Sequence, residues 1–269
     1  MENNTQLKEM IRSMVIDILQ GQKQEMASSQ PVKQAPRGQV EPGVFDTVDD
    51  AIQAAKAAQA RFEDCTLATR EKVIADIRAT MRPRVQELAQ KTVEETGMGR
   101  VADKVLKLNL TLDKTPGVED LVTECETGDN GMTLYELSAY GVIGAITPST
   151  NPAETLICNT IGMLAAGNAV FFSVHPGAKH LSRLLVSELN QIIAKSIGIE
   201  NLIVTLREPS IESAQEMMLH PDVSLLVVTG GPGVVKQALQ SGKKVIGAGA
   251  GNPPAFVDET ADIKKAAQD

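Results

Sequence analysis

Apolar positions follow two successive patterns along the chain. Up to about residue 115 they recur at steps of three and four; from Gly141 onward short apolar runs alternate with helical stretches. Leu7, Met10, Ile11, Met14, Val15, Ile18 and Leu19 form one stripe, with Lys8, Glu9, Arg12 and Asp17 mostly off it. That spacing predicts an amphipathic helix over residues 1–20, which Gly21 can end. Residues 21–43 are rich in Gln, Ser, Pro and Gly and poor in apolar residues, the composition of a flexible linker. The globular part is expected over residues 44–269. Its first helix is predicted to be capped by Asp49 or Asp50 and to run to about Ala60. A second starts at Thr69, with Val73, Ile74, Ile77 and Met81 on one face. A third has Pro83 at its start and runs toward Thr92, and a fourth covers residues 100–112 before Pro116-Gly117. Residues 132–137 are a short strand candidate.

Beyond Gly141, GVIGAI, AVFFSV, NLIVTL and SLLVVT read as strands. Helices are predicted between and after them at 154–165, 177–195, 211–219 and 234–240. KKVIGAG and PAFVD are the last strand candidates, and Asp258-Glu259-Thr260 reads as a helix start. Strand–helix alternation predicts an α/β fold: a Rossmann-type parallel sheet with flanking helices. Such sheets bind ligands at the carboxyl ends of their strands.

Composition narrows the function. Of the 269 residues, 42% are hydrophobic and 22% charged, as in soluble globular proteins. No apolar run approaches the roughly 18 residues of a membrane span, so no membrane role is expected. Lys and Arg number 26 against 34 Asp and Glu, a net charge of −8, and aromatics are 3% with no Trp. A nucleic-acid partner is therefore not expected. Three cysteines, Cys65, Cys125 and Cys158, form no C-x-x-C pair, and His175, His180 and His220 form no metal pattern. This speaks for a reducing interior and against zinc.

Four segments fall where strands should end. TPSTNP, Thr147 to Pro152, places Thr147, Pro148, Ser149, Thr150 and Asn151 before a helix, where free N–H groups and a side-chain amide can stabilise an oxyanion. Ser, Thr and Asn there are equally what any capped helix has. Ser173, His175 and Pro176 can line an adenosine pocket or form a plain strand-to-helix turn. Thr229, Gly230 and Gly231 form a glycine turn through which a backbone can approach a pyrophosphate, without the G-x-G-x-x-G spacing. IGAGAGNPP, with Gly249, reads as a tight, close-packed loop beside a site. Cys158, on an apolar helical stretch, reads as a small core residue.

Together with ETGMG, TPGVEDL, TGDNGM, LAAGNAVFFSVHPGAK and GKKVIGAGAGNPP, these motifs resemble the aldehyde dehydrogenase superfamily. The resemblance is to its CoA-acylating branch of bacterial microcompartments, and runs from about Val44 to the last residue. It implies oxidation of a short aldehyde to acyl-CoA, with NAD as cofactor and coenzyme A as co-substrate. Within the branch the likeness is to members acting on propionaldehyde in propanediol utilisation; acetaldehyde, in ethanolamine utilisation, is the alternative substrate. A cysteine thiolate attacks the carbonyl, hydride passes to NAD+, and CoA takes the acyl group from the resulting thioester. Residues 1–20 would be an encapsulation peptide that docks on a shell or cargo protein. The protein would sit inside a microcompartment in the bacterial cytoplasm, as a homo-oligomer when full length.

The resemblance also implies departures. Ala248 stands where hydrolytic relatives have a water-activating glutamate, and Ser173 where they have a ribose-binding lysine. Their oxyanion asparagine matches Thr150 in an ungapped register, with Asn151 one step away, so both stay candidates. The family's nucleophilic cysteine would follow the segment ADIKKAAQD, outside this chain. The 44–269 part is thus expected to be an NAD-binding region inactive by itself. The alternative is a non-catalytic microcompartment cargo or nucleotide-binding fragment.

Overall fold

The computed structural model describes residues 41–249, 251 and 254–268; the expected helix over residues 1–20 and linker residues 21–40 lie outside them. The globular unit begins at Glu41. The carboxylate of Glu41 takes a two-pronged contact from Arg183, so the three residues before Val44 are anchored to the fold.

The elements follow from local sequence. Strand β1 (Val44–Phe45) leads into α1 (Val48–Glu63). The cap of α1 is Thr47, whose hydroxyl accepts the Asp50 N–H, rather than Asp49 or Asp50. Those two aspartates occupy the first turn instead, where a carboxylate suits the helix dipole. Next come α2 (Leu67–Met81), capped by Thr66, and α3 (Val85–Thr96), which Gly97 ends at φ 66. Then follow α4 (Val101–Lys114) and a hairpin of β2 (Glu124–Gly128) and β3 (Gly131–Tyr135). From there strand and helix alternate: β4 (Val142–Ile146), α5 (Pro152–Ala165), β5 (Ala169–Ser173), α6 (Lys179–Ile197), β6 (Ile203–Leu206), α7 (Ile211–Leu219), β7 (Val223–Thr229), α8 (Pro232–Leu239) and β8 (Lys244–Ala248). A single turn, α9 (Ile263–Ala266), follows.

Six strands form one sheet in the order β1-β6-β5-β4-β7-β8, every pair parallel. Strands β4 and β5 are buried at every residue, which is why both read as unbroken apolar runs. Asn168 ties their starts together: its Oδ1 accepts the N–H groups of Tyr140 and Gly141. The chain winds outward from β4 through β5 to β6, then crosses back to place β7 on the other side of β4. This reversal opens a crevice at the carboxyl ends of β4 and β7, the usual ligand site of such sheets.

Four further expectations fail. PAFVD is not a strand; residues 254–258 carry no regular structure, and Phe256 is 93% exposed. A strand needs a neighbouring edge to satisfy its backbone, and none of the described residues pairs with this segment. The last helix starts not at Asp258 but after Asp262, whose side chain caps the N–H groups of Lys264 and Lys265. Cys158 is exposed, not core, because it shares the outer face of α5 with Gly162 while Leu156, Ile157, Ile161 and Leu164 point inward. Among the described residues the loop at Gly249 is not close-packed: a Cβ on Gly249 or Gly251 would meet none of them within 4 Å, whereas one on Gly247, inside β8, would lie against Val235.

Candidate functional site

The carboxyl ends of β4, β5 and β7 open into one cleft of about 540 Å³. Thr147, Pro148, Ser149, Thr150 and Asn151 line it from β4, Ser173, His175 and Pro176 from β5, Thr229, Gly230 and Gly231 from β7, and Gly249 after β8. Every site residue expected from the sequence lies in this one place. A groove of about 530 Å³ between α2 and α6 is of similar size; four of its charged side chains pair with each other as Lys72–Asp76 and Arg84–Glu188.

The cleft offers polar groups that a ligand could meet. Thr147 is 2% exposed, and its Oγ1 has no hydrogen-bond partner among the described residues. A buried hydroxyl without a partner is costly unless a bound group supplies one. The N–H of Gly230 is taken by the carbonyl of Ala248 at 3.2 Å. The donors left at the start of α8 therefore belong to its first turn, beyond the Gly231 cap. A Cβ on Gly231 would meet nothing within 4 Å, so the backbone is open to a ligand there. His175 Nδ1 accepts the Gly177 N–H at 3.0 Å, capping the turn that follows β5. The neutral ring then carries its proton on Nε2.

Asn151 is the cap residue of α5, yet its side chain makes no capping bond. Its Oδ1 accepts instead from Lys104 Nζ at 3.0 Å and Lys107 Nζ at 3.2 Å. Thr150 is exposed, and its backbone carbonyl accepts from Lys104 at 2.5 Å. Lys104 had no place among the candidates, although a signal was present. It sits on the buried stripe of α4 with Leu108 and Leu112, four and eight residues on. Ser210, Ile211 and Ala214, which wall the cleft from α7, were also missed, since nothing local marks a crossover helix as a ligand wall.

Comparison with known proteins agrees with this fold. Residues 18–269 match the model of the aldehyde dehydrogenase family, and the chain belongs to that family. It is 49% identical over 267 residues to the propanal dehydrogenase (CoA-propanoylating) of Salmonella typhimurium, covering 99% of this chain and 55% of that protein. A propionaldehyde dehydrogenase from the Clostridium phytofermentans fucose-utilisation microcompartment superposes with a TM-score of 0.79 at 52% identity, over 85% of this chain and 53% of the other. An engineered glycolyl-CoA reductase with bound NADP+ superposes with a TM-score of 0.78 at 52% identity, over 86% of this chain and 53% of the other. The chain spans about half the length of the curated relatives it matches.

Proposed function

We propose that the chain is the cofactor-binding portion of a CoA-acylating aldehyde dehydrogenase that oxidises propionaldehyde to propionyl-CoA and reduces NAD+. The cleft at the carboxyl ends of β4, β5 and β7 carries this reading, with the unpartnered Thr147 hydroxyl inside it. In that role Thr147, Pro148 and Ser149 flank the nicotinamide side, and the first turn of α8 beyond Thr229-Gly230-Gly231 receives the pyrophosphate. Ser173, His175 and Pro176 border the adenosine, and Gly249 leaves the near wall open. The bound nicotinamide supplies hydride acceptance, which no side chain can. Asn151 is the oxyanion donor of choice over Thr150: its amide oxygen is already engaged, which leaves the Nδ2–H groups as donors. Ala248 at the end of β8 suits an acyl-enzyme that waits for CoA, because a methyl group cannot activate water.

The same reading extends to the setting. Residues 1–20 dock on a shell or cargo protein, the protein works inside a microcompartment of the bacterial cytoplasm, and the full-length protein is a homo-oligomer. The likeness to a microcompartment enzyme supports the placement in a microcompartment. Acetaldehyde is the alternative substrate. A non-catalytic microcompartment cargo or nucleotide-binding fragment is the second reading.

The test is an NAD+ titration followed by an assay of NADH formation from propionaldehyde and CoA. Binding without turnover is expected from this chain. Turnover that disappears in Cys158→Ala would overturn the placement of the nucleophile outside residues 1–269. Gly231→Asp puts a carboxylate at the α8 cap without a clash, a position where aspartate favours the helix. It should nevertheless weaken NAD+ by about tenfold, or about 1.4 kcal/mol, through repulsion of the pyrophosphate. Unchanged affinity would remove α8 from the site.

A further inference from the structure

The wall of the cleft behind Asn151 is charged and buried. Lys104 is 3% exposed, and its ammonium donates to Thr150 O and to Asn151 Oδ1. It also lies 3.3 Å from Glu154 Oε1, an ion-pair contact without hydrogen-bond geometry. Glu154 is 7% exposed, and both its carboxylate oxygens lack a hydrogen-bond partner among the described residues. Lysine and glutamate are almost never buried to this degree unless paired. Replacing such a pair with well-packed apolar residues is often neutral or stabilising, so stability alone is a weak reason for it. What the pair does locally is hold one amide. An asparagine at a helix cap ordinarily turns its oxygen to the N–H groups of the first turn. Here the oxygen is drawn the other way, onto two ammonium groups.

We infer that Lys104, anchored by Glu154 and assisted by Lys107, is a positioning residue that fixes and polarises the Asn151 side-chain amide. A flipped amide would set its NH₂ against two ammonium donors, so only one orientation survives. That orientation commits Oδ1 to the protein and leaves Nδ2–H for the cleft's reacting oxygen. Polarisation of the C=O by two cations also strengthens the opposite N–H groups as donors, as in any hydrogen-bonded chain. The inference rests on Asn151 being the oxyanion donor and identifies what enforces that role.

The test uses the full 269-residue chain labelled with ¹⁵N-asparagine, with the Asn151 side-chain amide assigned by its disappearance in Asn151→Ala. Lys104→Met keeps the aliphatic stem and removes the ammonium. Its Asn151 Nδ2 signal should lose the downfield displacement of the wild type and its amide protons should exchange faster. Lys104→Arg, which retains a cationic donor, should restore most of the displacement, as loss of packing alone would not predict. If Lys104→Met fails to fold by circular dichroism, Lys107→Met, at an exposed position, reads the same amide and should move it the same way by less. An Asn151 amide that stays put in both methionine variants, or one that Lys104→Arg does not restore, overturns the inference. A wild-type chain that fails to bind NAD+ removes the cofactor reading and leaves the amide result standing, so the two failures are told apart.

Discussion

Strands β4 and β5 and strands β2 and β3 are the same length, five residues each, and differ in every position's surroundings. The first two are buried throughout and the last two exposed throughout. Phe171 and Phe172 are wrapped by helices; Met132, Leu134 and Tyr135 are 70%, 56% and 50% exposed. Backbone pairing is present in both places, so pairing alone does not make a core. The sheet is held by the side chains that α1, α5 and α6 press onto it. The hairpin pairs only with itself among the described residues, an arrangement of marginal stability in water. The candidate site sits on the first kind of structure, which is what a cleft needing fixed donors requires.

The sharpest way to break this comparison is to cut the same kind of side chain in both regions. Phe171→Ala should cost about 3–5 kcal/mol of unfolding free energy, through lost burial and the cavity left behind. Leu134→Ala should stay within about 0.5 kcal/mol, as surface changes do. Urea titrations followed by circular dichroism measure both. Equal losses would mean that the hairpin is as well covered as the sheet.

A glycine pair sharpens it further. A Cβ on Gly144, in β4, would run into Met217 Sδ and lie 3.0 Å from Leu226 Cδ2, whereas one on Gly128, in β2, would meet nothing within 4 Å among the described residues. Gly144→Ala should cost about 1–3 kcal/mol by overpacking, because methionine can yield but the strand cannot. It should also loosen α7 and with it the cleft wall at Ser210 and Ile211. Gly128→Ala should leave the melting temperature near wild type. A neutral Gly144→Ala would show that α7 is not seated on β4.

The same contrast explains what was legible in the sequence. Val142–Ile146 and Ala169–Ser173 announced themselves because burial on both faces leaves no polar position to confuse the pattern. The cleft residues were legible for a related reason: Thr147, His175 and Thr229 each follow such a run directly, so finding the strands located their carboxyl ends. Strand β2, sequence ECETG, was invisible, because a strand exposed on both faces has no apolar alternation to read. Phe256 and Val257 misled in the opposite sense. They have strand-forming side chains, but residue identity cannot say whether an edge is available to pair with. Cys158 was misplaced because α5 is apolar nearly all round, which hides the face it turns to solvent. Lys104 was readable in principle, as a charge on an apolar stripe; what it holds depends on a loop 46 residues away.

Between the two extremes lies the joint from α3 to α6. The Glu95 carboxylate accepts the N–H groups of His180 and Leu181 at 2.8 and 2.7 Å, capping α6 from another helix. Glu95→Ala leaves both donors without that partner, and should cost about 1 kcal/mol. Glu95→Gln, which keeps an acceptor, should recover part of it. The melting temperatures of the two variants order them; if Ala and Gln behave alike, the contact contributes charge and no cap.

The smallest effect belongs to the surface and titrates. Asp222, at the start of β7, accepts from Lys56 Nζ at 2.5 Å and Gln53 Nε2 at 2.9 Å, joining that turn to α1. The Lys56 hydrogen bond, and after it Gln53, holds the Asp222 carboxyl below its ordinary value of 3.8. The folded chain therefore binds this proton less tightly than the unfolded chain, and the contact stabilises fully above the unfolded pKa. Its contribution fades as pH falls through the lower folded value. Asp222→Asn should lower the melting temperature slightly at pH 6, with the difference from wild type closing on acidification below about pH 4. Added salt at pH 6 should close it as well, since the pair is reached by solvent. A difference that survives both acid and salt would mean that Asp222 works through hydrogen bonds asparagine cannot imitate. This rim of the sheet would then be held by fixed geometry, as its centre is, and not by charge.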